Sequence, residues 1–138
     1  MNGLAEDEEM NEMKMPEHIV VSIVDDDISV RRSTRRLLRS SGFHTEAFAS
    51  AEEFLDSKTA AETACLILDL RMPGMSGLEL QRRLAQSGNR VPIIFLSAHA
   101  SEKDERSALH AGAVQFLRKP ISKEALLSAI RDALNRLM

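Results

Sequence analysis

Four strand-like runs in this chain each end on a side chain that can do chemistry. Ile19 to Val24 leads into Asp25-Asp26-Asp27, Leu66-Ile67-Leu68 carries Asp69 at its end, Val91 to Leu96 is followed by Ser97, and Val114 to Arg118 by Lys119. If these runs are parallel strands of one sheet, their C-terminal lips share an edge, the edge at which open α/β sheets bind ligands. Three carboxylates, a hydroxyl and an ammonium then converge. Carboxylates crowded in one crevice repel each other and demand a counter-charge, which a hard divalent cation held by a few oxygens and several waters supplies. Mg2+ is the expected cofactor. A carboxylate beside such a cation, with a lysine and a hydroxyl opposite, suits attack on a phosphoryl group: the positive charges neutralise its oxygens while the carboxylate displaces the leaving group in line. Asp69 is the central candidate, because its apolar run breaks directly into the loop bearing Pro73 and Gly74.

The elements that must position these groups follow from hydropathy spacing. From His18 onward, short apolar runs alternate with amphipathic stretches, the pattern of βα units around a parallel sheet. Strands are expected at 19–24, 43–48 (an edge), 64–69, 91–97 and 114–118. A first helix over about 28–41 places Val30, Thr34, Leu37 and Ser41 on one stripe with Leu38 beside it, and Gly42 ends it. Ser50-Ala51-Glu52-Glu53 and Ser76-Gly77-Leu78-Glu79 have the Ser-x-x-Glu form of a capping box and open the second and third helices, the third with Leu80 and Leu84 inward. A fourth helix, 101–111, has only Ala108, Leu109 and Ala111 as an apolar face, and such thin packing predicts mobility. The last helix, capped by Ser122, carries Leu126, Ile130, Ala133 and Leu137 on one stripe and Leu127 and Leu134 on a neighbouring face. Strict alternation of five strands with five helices predicts an α/β fold with a doubly wound, five-stranded parallel sheet.

Bulk properties narrow the function classes. A chain of 138 residues forms one domain that buries a core without cross-links. Its single cysteine, Cys65, excludes an intrachain disulfide and, lying in an apolar run, reads as a small core residue rather than a nucleophile. No apolar stretch is long enough for a signal segment or a bilayer span, so a soluble, cytoplasmic protein without membrane contact is expected. The net charge of −3 is unevenly spread: residues 1–17 hold six acids and one lysine, which leaves residues 18–138 at +2. Residues 1–17, with no periodic apolar face, are expected to be an acidic, disordered extension or a short frayed helix, and 18–138 the folded domain.

On these residues the chain resembles the receiver domains of two-component response regulators, the CheY-like fold, over about 18–135. Asp69-Leu70-Arg71-Met72-Pro73-Gly74-Met75-Ser76-Gly77 and Leu96-Ser97-Ala98-His99 are similar to the FixJ-like branch, whose members are usually transcription regulators. The resemblance implies strand order 2-1-3-4-5, Asp69 as the phosphoacceptor, and Asp25, Asp26 and Asp69 as metal ligands together with the backbone carbonyl of Arg71. It implies that Ser97 is the switch hydroxyl, Ala98 the small side chain beside the phosphoryl group, Lys119 the paired lysine ahead of a cis Pro120, and Phe116 the aromatic switch. A sensor histidine kinase is the implied partner, docking near the first helix. The implied activity is a signalling switch that catalyses only its own phosphorylation and dephosphorylation and is otherwise no enzyme. Three positions depart from the commonest pattern. Asp27 extends the acidic pair and reads as a helix cap, Ile121 replaces a frequent Phe, and Phe116 lacks a phenol.

Each residue also has a blander reading. A strand-terminal Asp is often a cap, Ser97 and Lys119 alone would be ordinary strand ends, and Phe116 alone would be core; their coincidence on one edge favours the site. Arg71 and His99, each two residues past a site residue, are expected to shape water access and so tune dephosphorylation. His18, His44 and His110 have no metal-ligand spacing. Arg31, Arg32, Arg35, Arg36 and Arg39 form a solvated helix face suited to kinase docking; without aromatic interleaving or a helix-turn-helix pattern, direct nucleic-acid binding is not expected. Phosphorylation adds close to two negative charges, drawing in Ser97 and Lys119. The surface of the fourth helix, fifth strand and fifth helix, with Leu127 and Leu134, is then expected to form a homodimer or contact an output domain by population shift. Control of transcription through an output domain outside this chain is the expected role, with a stand-alone receiver or phosphorelay protein as the alternative. A phosphatase of the haloacid-dehalogenase type would want a second Asp where Arg71 stands, and a degenerate binding module would lack one of the acids or the lysine.

Overall fold

The computed structural model describes residues 19–136. The expectations for residues 1–17, His18 and Leu137 fall outside the described residues. The strands are β1 (Val20–Val24), β2 (His44–Phe48), β3 (Thr63–Asp69), β4 (Ile93–Ser97) and β5 (Gln115–Arg118). The helices are α1 (Ile28–Ser40), α2 (Ala51–Asp56), α3 (Gly77–Gln86), α4 (Glu102–His110) and α5 (Lys123–Asn135). A short 3-10 turn, Lys58–Glu62, precedes β3 and had no signal in the apolar spacing.

All strand pairs are parallel and the order is β2-β1-β3-β4-β5, as the resemblance implied. Register sets the heights of the functional tips. Val24 lies opposite Leu68, Asp69 opposite Leu96, and Ser97 opposite Arg118, so Asp25 and Asp69 finish level along the C-terminal edge, with Ser97 the next residue up and Lys119 the one after it.

Alternation along the strands divides the core into two layers. Val21, Ile23, Cys65, Ile67, Ile94 and Leu96 belong to one cluster with Leu38 of α1 and with Leu126, Ile130 and Ala133 of α5. Val24, Leu66, Leu68, Ile93 and Phe95 belong to the other, with Phe54 of α2, Leu80 and Leu84 of α3 and Ala108 of α4. Burial pushes the Cys65 thiol up to about 12, which keeps it protonated and inert, in line with its reading as core.

Three helix faces differ from expectation. On α1 the buried residues are Thr34 and Leu38, while Leu37 packs partly buried against the same cluster as Leu38 and Ser41 is half-buried. Leu127 and Leu134 of α5 are buried with Leu126 and Ile130, so they are not spare apolar surface. A helix laid on a sheet and flanked by a neighbour buries a wider arc than one stripe. On α4 only Ala108 is buried, while Leu109 stays 42% exposed. Much of what attaches α4 is polar: the buried Gln81 of α3 donates from Nε2 to the carbonyl of Ala108 at 3.0 Å.

Candidate functional site

The β1 tip is built by a chain of short-range bonds. The Asp25 amide donates to the Phe48 carbonyl (3.1 Å), and its Oδ1 accepts from the Asp27 amide (2.9 Å). Asp27 caps α1 as expected, its Oδ1 accepting from the amides of Ser29 (2.9 Å) and Val30 (3.2 Å). Arg31 donates from Nη1 to the Asp25 carbonyl at 2.8 Å. The turn thereby buries Asp25 and leaves Asp26 exposed beside it.

Asp69 closes β3 and is itself buried. Its backbone is packed under the start of α3, where the Gly77 amide donates to the Leu70 carbonyl (2.9 Å) and a side chain at Gly77 would collide with the Asp69 carbonyl and crowd Leu70 and Phe95. Glycine is required there by close approach of two backbones. Ser97 ends β4, buried, and its carbonyl accepts from the Lys119 amide at 2.9 Å, which ties the tips of β4 and β5 together. The Lys119–Pro120 peptide is cis.

These tips close on one point. Lys119 Nζ donates to Asp25 Oδ2 at 3.0 Å and stands 3.9 Å from Asp69 Oδ1. Carboxylate oxygens of Asp25, Asp26 and Asp69 all lie within 4.8 Å of one another, an oxygen donor set that suits a hard divalent cation. Asp69, Asp26, Ser97, Ala98, Lys119, Arg71 and His99 line the crevice above, which holds about 340 Å³. Burial and then the Asp25 carboxylate raise the Asp69 carboxyl to about 7, with Lys119 opposing and Asp26 adding to the rise. One lysine does not balance three crowded acids, so the site is electrostatically prepared for a further positive charge.

Residues 21–131 match the response regulator receiver domain family. The chain belongs to that family. Among curated relatives of this receiver, the response regulator protein TmoT of Ectopseudomonas mendocina is 47% identical over 115 residues, covering 83% of this chain and 52% of its own. The transcriptional regulatory protein FixJ of Azorhizobium caulinodans is 38% identical over 122 residues, 88% of this chain and 58% of its own. This chain thus spans about half the length of the curated relatives it matches. The crystal structure of FixJ-N superposes with a TM-score of 0.79 at 35% identity, covering 87% of this chain and 96% of that one.

Two residues flanking the receiver's crevice behave differently from a simple rim. Arg71 donates from Nε to the His99 carbonyl (3.2 Å) and from Nη2 to Asp104 Oδ2 (2.9 Å), so its guanidinium spans the mouth of the crevice from the β3 side to the first turn of α4. His99 contributes a backbone carbonyl to that bridge and is exposed. Arg118, which drew no notice in the sequence, makes the matching fork: Nη1 donates to the Ala100 carbonyl at 2.7 Å and Nη2 to Glu105 Oε1 at 2.9 Å. Nothing in its local sequence signals this, because one partner lies in the β4-α4 loop and the other in the first turn of α4. The Arg118 guanidinium also lies 5.6 Å from the centre of the Phe116 ring, which is half-buried and stacks on Phe95 at 5.8 Å.

Proposed function

We propose that Asp69 accepts a phosphoryl group from a histidine kinase in a Mg2+-dependent reaction and that the added charge is relayed through Ser97, Lys119 and Phe116 to the surface formed by α4, β5 and α5. The observation that carries this reading is the placement of Lys119 Nζ 3.0 Å from Asp25 and 3.9 Å from Asp69, beside three carboxylates within 4.8 Å. Asp25, Asp26 and Asp69, with the Arg71 backbone carbonyl, would hold the Mg2+. When bound, the ion supplies positive charge that neutralises phosphoryl oxygens. An Asp69 carboxylate oxygen bonds to phosphorus as the donor's bond to phosphorus breaks. Lys119 then exchanges its partner at Asp69 for a phosphoryl oxygen, and the Ser97 hydroxyl donates to another. Ala98 leaves room for the group. The chain acts on itself and not as a turnover enzyme on other molecules.

The kinase side of this proposal is supported by an apolar groove of about 430 Å³ next to Lys119, lined by Val30, Thr34, Pro120 and Ile121, and by Ile28, 50% exposed at the start of α1. The output side rests on relatives of which the matched region covers only 52% and 58%, one of them named a transcriptional regulatory protein. We accordingly propose transcriptional control in the cytoplasm through an output domain beyond these residues. Among the described residues no helix is long and apolar enough to cross a membrane.

Incubation with Mg2+ and a small phosphodonor tests the chemistry. Accumulation of a phosphoryl adduct on Asp69, absent in Asp69→Asn and in EDTA, is the expected result. Turnover of donor without an adduct would instead mark a phosphatase, and no reaction a binding module.

A further inference from the structure

The outer face of α1 is charged with one sign only. Its thirteen residues contain Arg31, Arg32, Arg35, Arg36 and Arg39 and no acid. Arg31 is engaged with the Asp25 carbonyl. The other four, with Ser40, border an open depression of about 530 Å³. Arg32, Arg36 and Arg39 are exposed at helical spacing, Arg35 is half-buried beside them, and its Nε has no hydrogen-bond partner among the described residues. None of the ion pairs among the described residues involves these four. Glu46, an acid on the neighbouring strand β2, is paired with His44 at 3.7 Å. An ordinary solvated helix face mixes signs; here every i,i+3 and i,i+4 charged pair within the helix is repulsive.

A segment of complementary charge precedes the first strand in the sequence. Residues 1–17 hold Glu6, Asp7, Glu8, Glu9, Glu12 and Glu17 against a single Lys14. The chain enters the sheet at Val20, which lies opposite His44, and His44 follows the C-terminal end of α1 by only three residues after the cap at Ser41. Glu17 is three residues from that entry point. The arginines run back from the same end of the helix over about 10 Å, at 1.5 Å per residue, well within reach of a dozen residues of chain.

We propose that the acidic segment around Glu6 to Glu12 docks in cis on the Arg32, Arg35, Arg36 and Arg39 face of α1 and shields it from other acidic partners. Tethering gives the segment an effective concentration of about a millimolar, so a free acidic partner must compete with it. This inference concerns a surface away from Asp69 and stands or falls independently of the phosphotransfer reading.

The test compares the whole chain with its Glu6→Gln/Asp7→Asn/Glu8→Gln/Glu9→Gln variant. At about 20 mM salt the variant is expected to shift the NMR signals of Arg32, Arg35, Arg36 and Arg39, and at about 0.5 M salt, where the screening length is a few ångströms, the two proteins should coincide. A polyglutamate peptide used as probe should bind the variant about tenfold more tightly than the parent at low salt. Identical arginine signals at low salt together with equal peptide affinity would overturn the proposal. So would a difference that grows with protein concentration, because the occupant would then be a second copy. Salt titration of the unaltered chain provides an independent reading: the arginine signals must move together with those of residues 6–12.

Discussion

At the scale of single residues, Asp69 sets the clearest expectations. Its carboxyl is raised to about 7 by burial and by Asp25, whereas the unfolded chain releases that proton near 3.8. Between these values the folded state binds more protons than the unfolded one, so this group's contribution to stability falls as pH rises from about 4 to about 7 and is level above. In EDTA, Asp69→Asn is therefore expected to gain stability over the parent across that window, reaching about 1–2 kcal/mol at pH 8 after allowance for solvent screening in an open crevice. Urea melts at several pH values measure the difference, and a gap that is constant with pH would contradict the assignment. Gly77 makes a steric prediction of the opposite sign. A methyl group there meets the Asp69 carbonyl, so Gly77→Ala is expected to cost about 2–4 kcal/mol and to slow adduct formation by displacing the nucleophile.

The elements add a pair of matched forks. Arg71 and Arg118 each bond one carbonyl of the β4-α4 loop and one acid in the first turn of α4, and each sits within two residues of Asp69 or Lys119. Asp104, gripped by one fork, also closes the capping box with Ser101, and that backbone bond foremost holds its carboxyl below the usual range, with Arg71 assisting. Exposed ion pairs contribute about 0–1 kcal/mol apiece, so the double variant Arg71→Ala/Arg118→Ala should keep most of its global stability. Because α4 buries only Ala108, it has little else to hold it. Amide exchange in residues 99–105 of that variant is expected to rise about 3–30-fold while exchange in β1 and β3 stays as before. Arg71 and the His99 carbonyl both belong to the strap across the crevice, so if they tune dephosphorylation as proposed, loosening the strap should also change the dephosphorylation rate of the adduct.

For the whole molecule, the proposed ion binding and assembly would both depend on the sheet edge. If three carboxylates hold Mg2+, free ion at ten times its Kd stabilises the fold by about 1.4 kcal/mol. The gain should shrink in Asp26→Asn, which removes an exposed ligand without disturbing the Lys119 bridge to Asp25; thermal melts with and without Mg2+ decide this. The proposed output surface has a narrower apolar contact than the sequence suggested. With Leu127 and Leu134 inside the core, Leu109 is the large exposed apolar residue that α4 offers. Light scattering should detect a phosphoryl-dependent dimer in the parent and a monomer in Leu109→Glu, with adduct formation on Asp69 unchanged.

The alternation of apolar runs with amphipathic stretches determined the strand and helix sequence, and the residue type at each strand end determined which groups reach the crevice, because parallel strands in register must deliver their tips to one edge. Asp25, Asp69, Ser97 and Lys119 were legible for that reason, and Asp27 as a cap because capping is a local bond. Only the tertiary structure decided that Leu38 of α1 is more deeply buried than Leu37, that Leu127 and Leu134 lie inside, that Gly77 is required by the backbone of Asp69, and that Arg118 shares the clamp with Arg71. Each of those depends on how far one element sits from another, and that distance has no counterpart in the spacing of residues along a single segment.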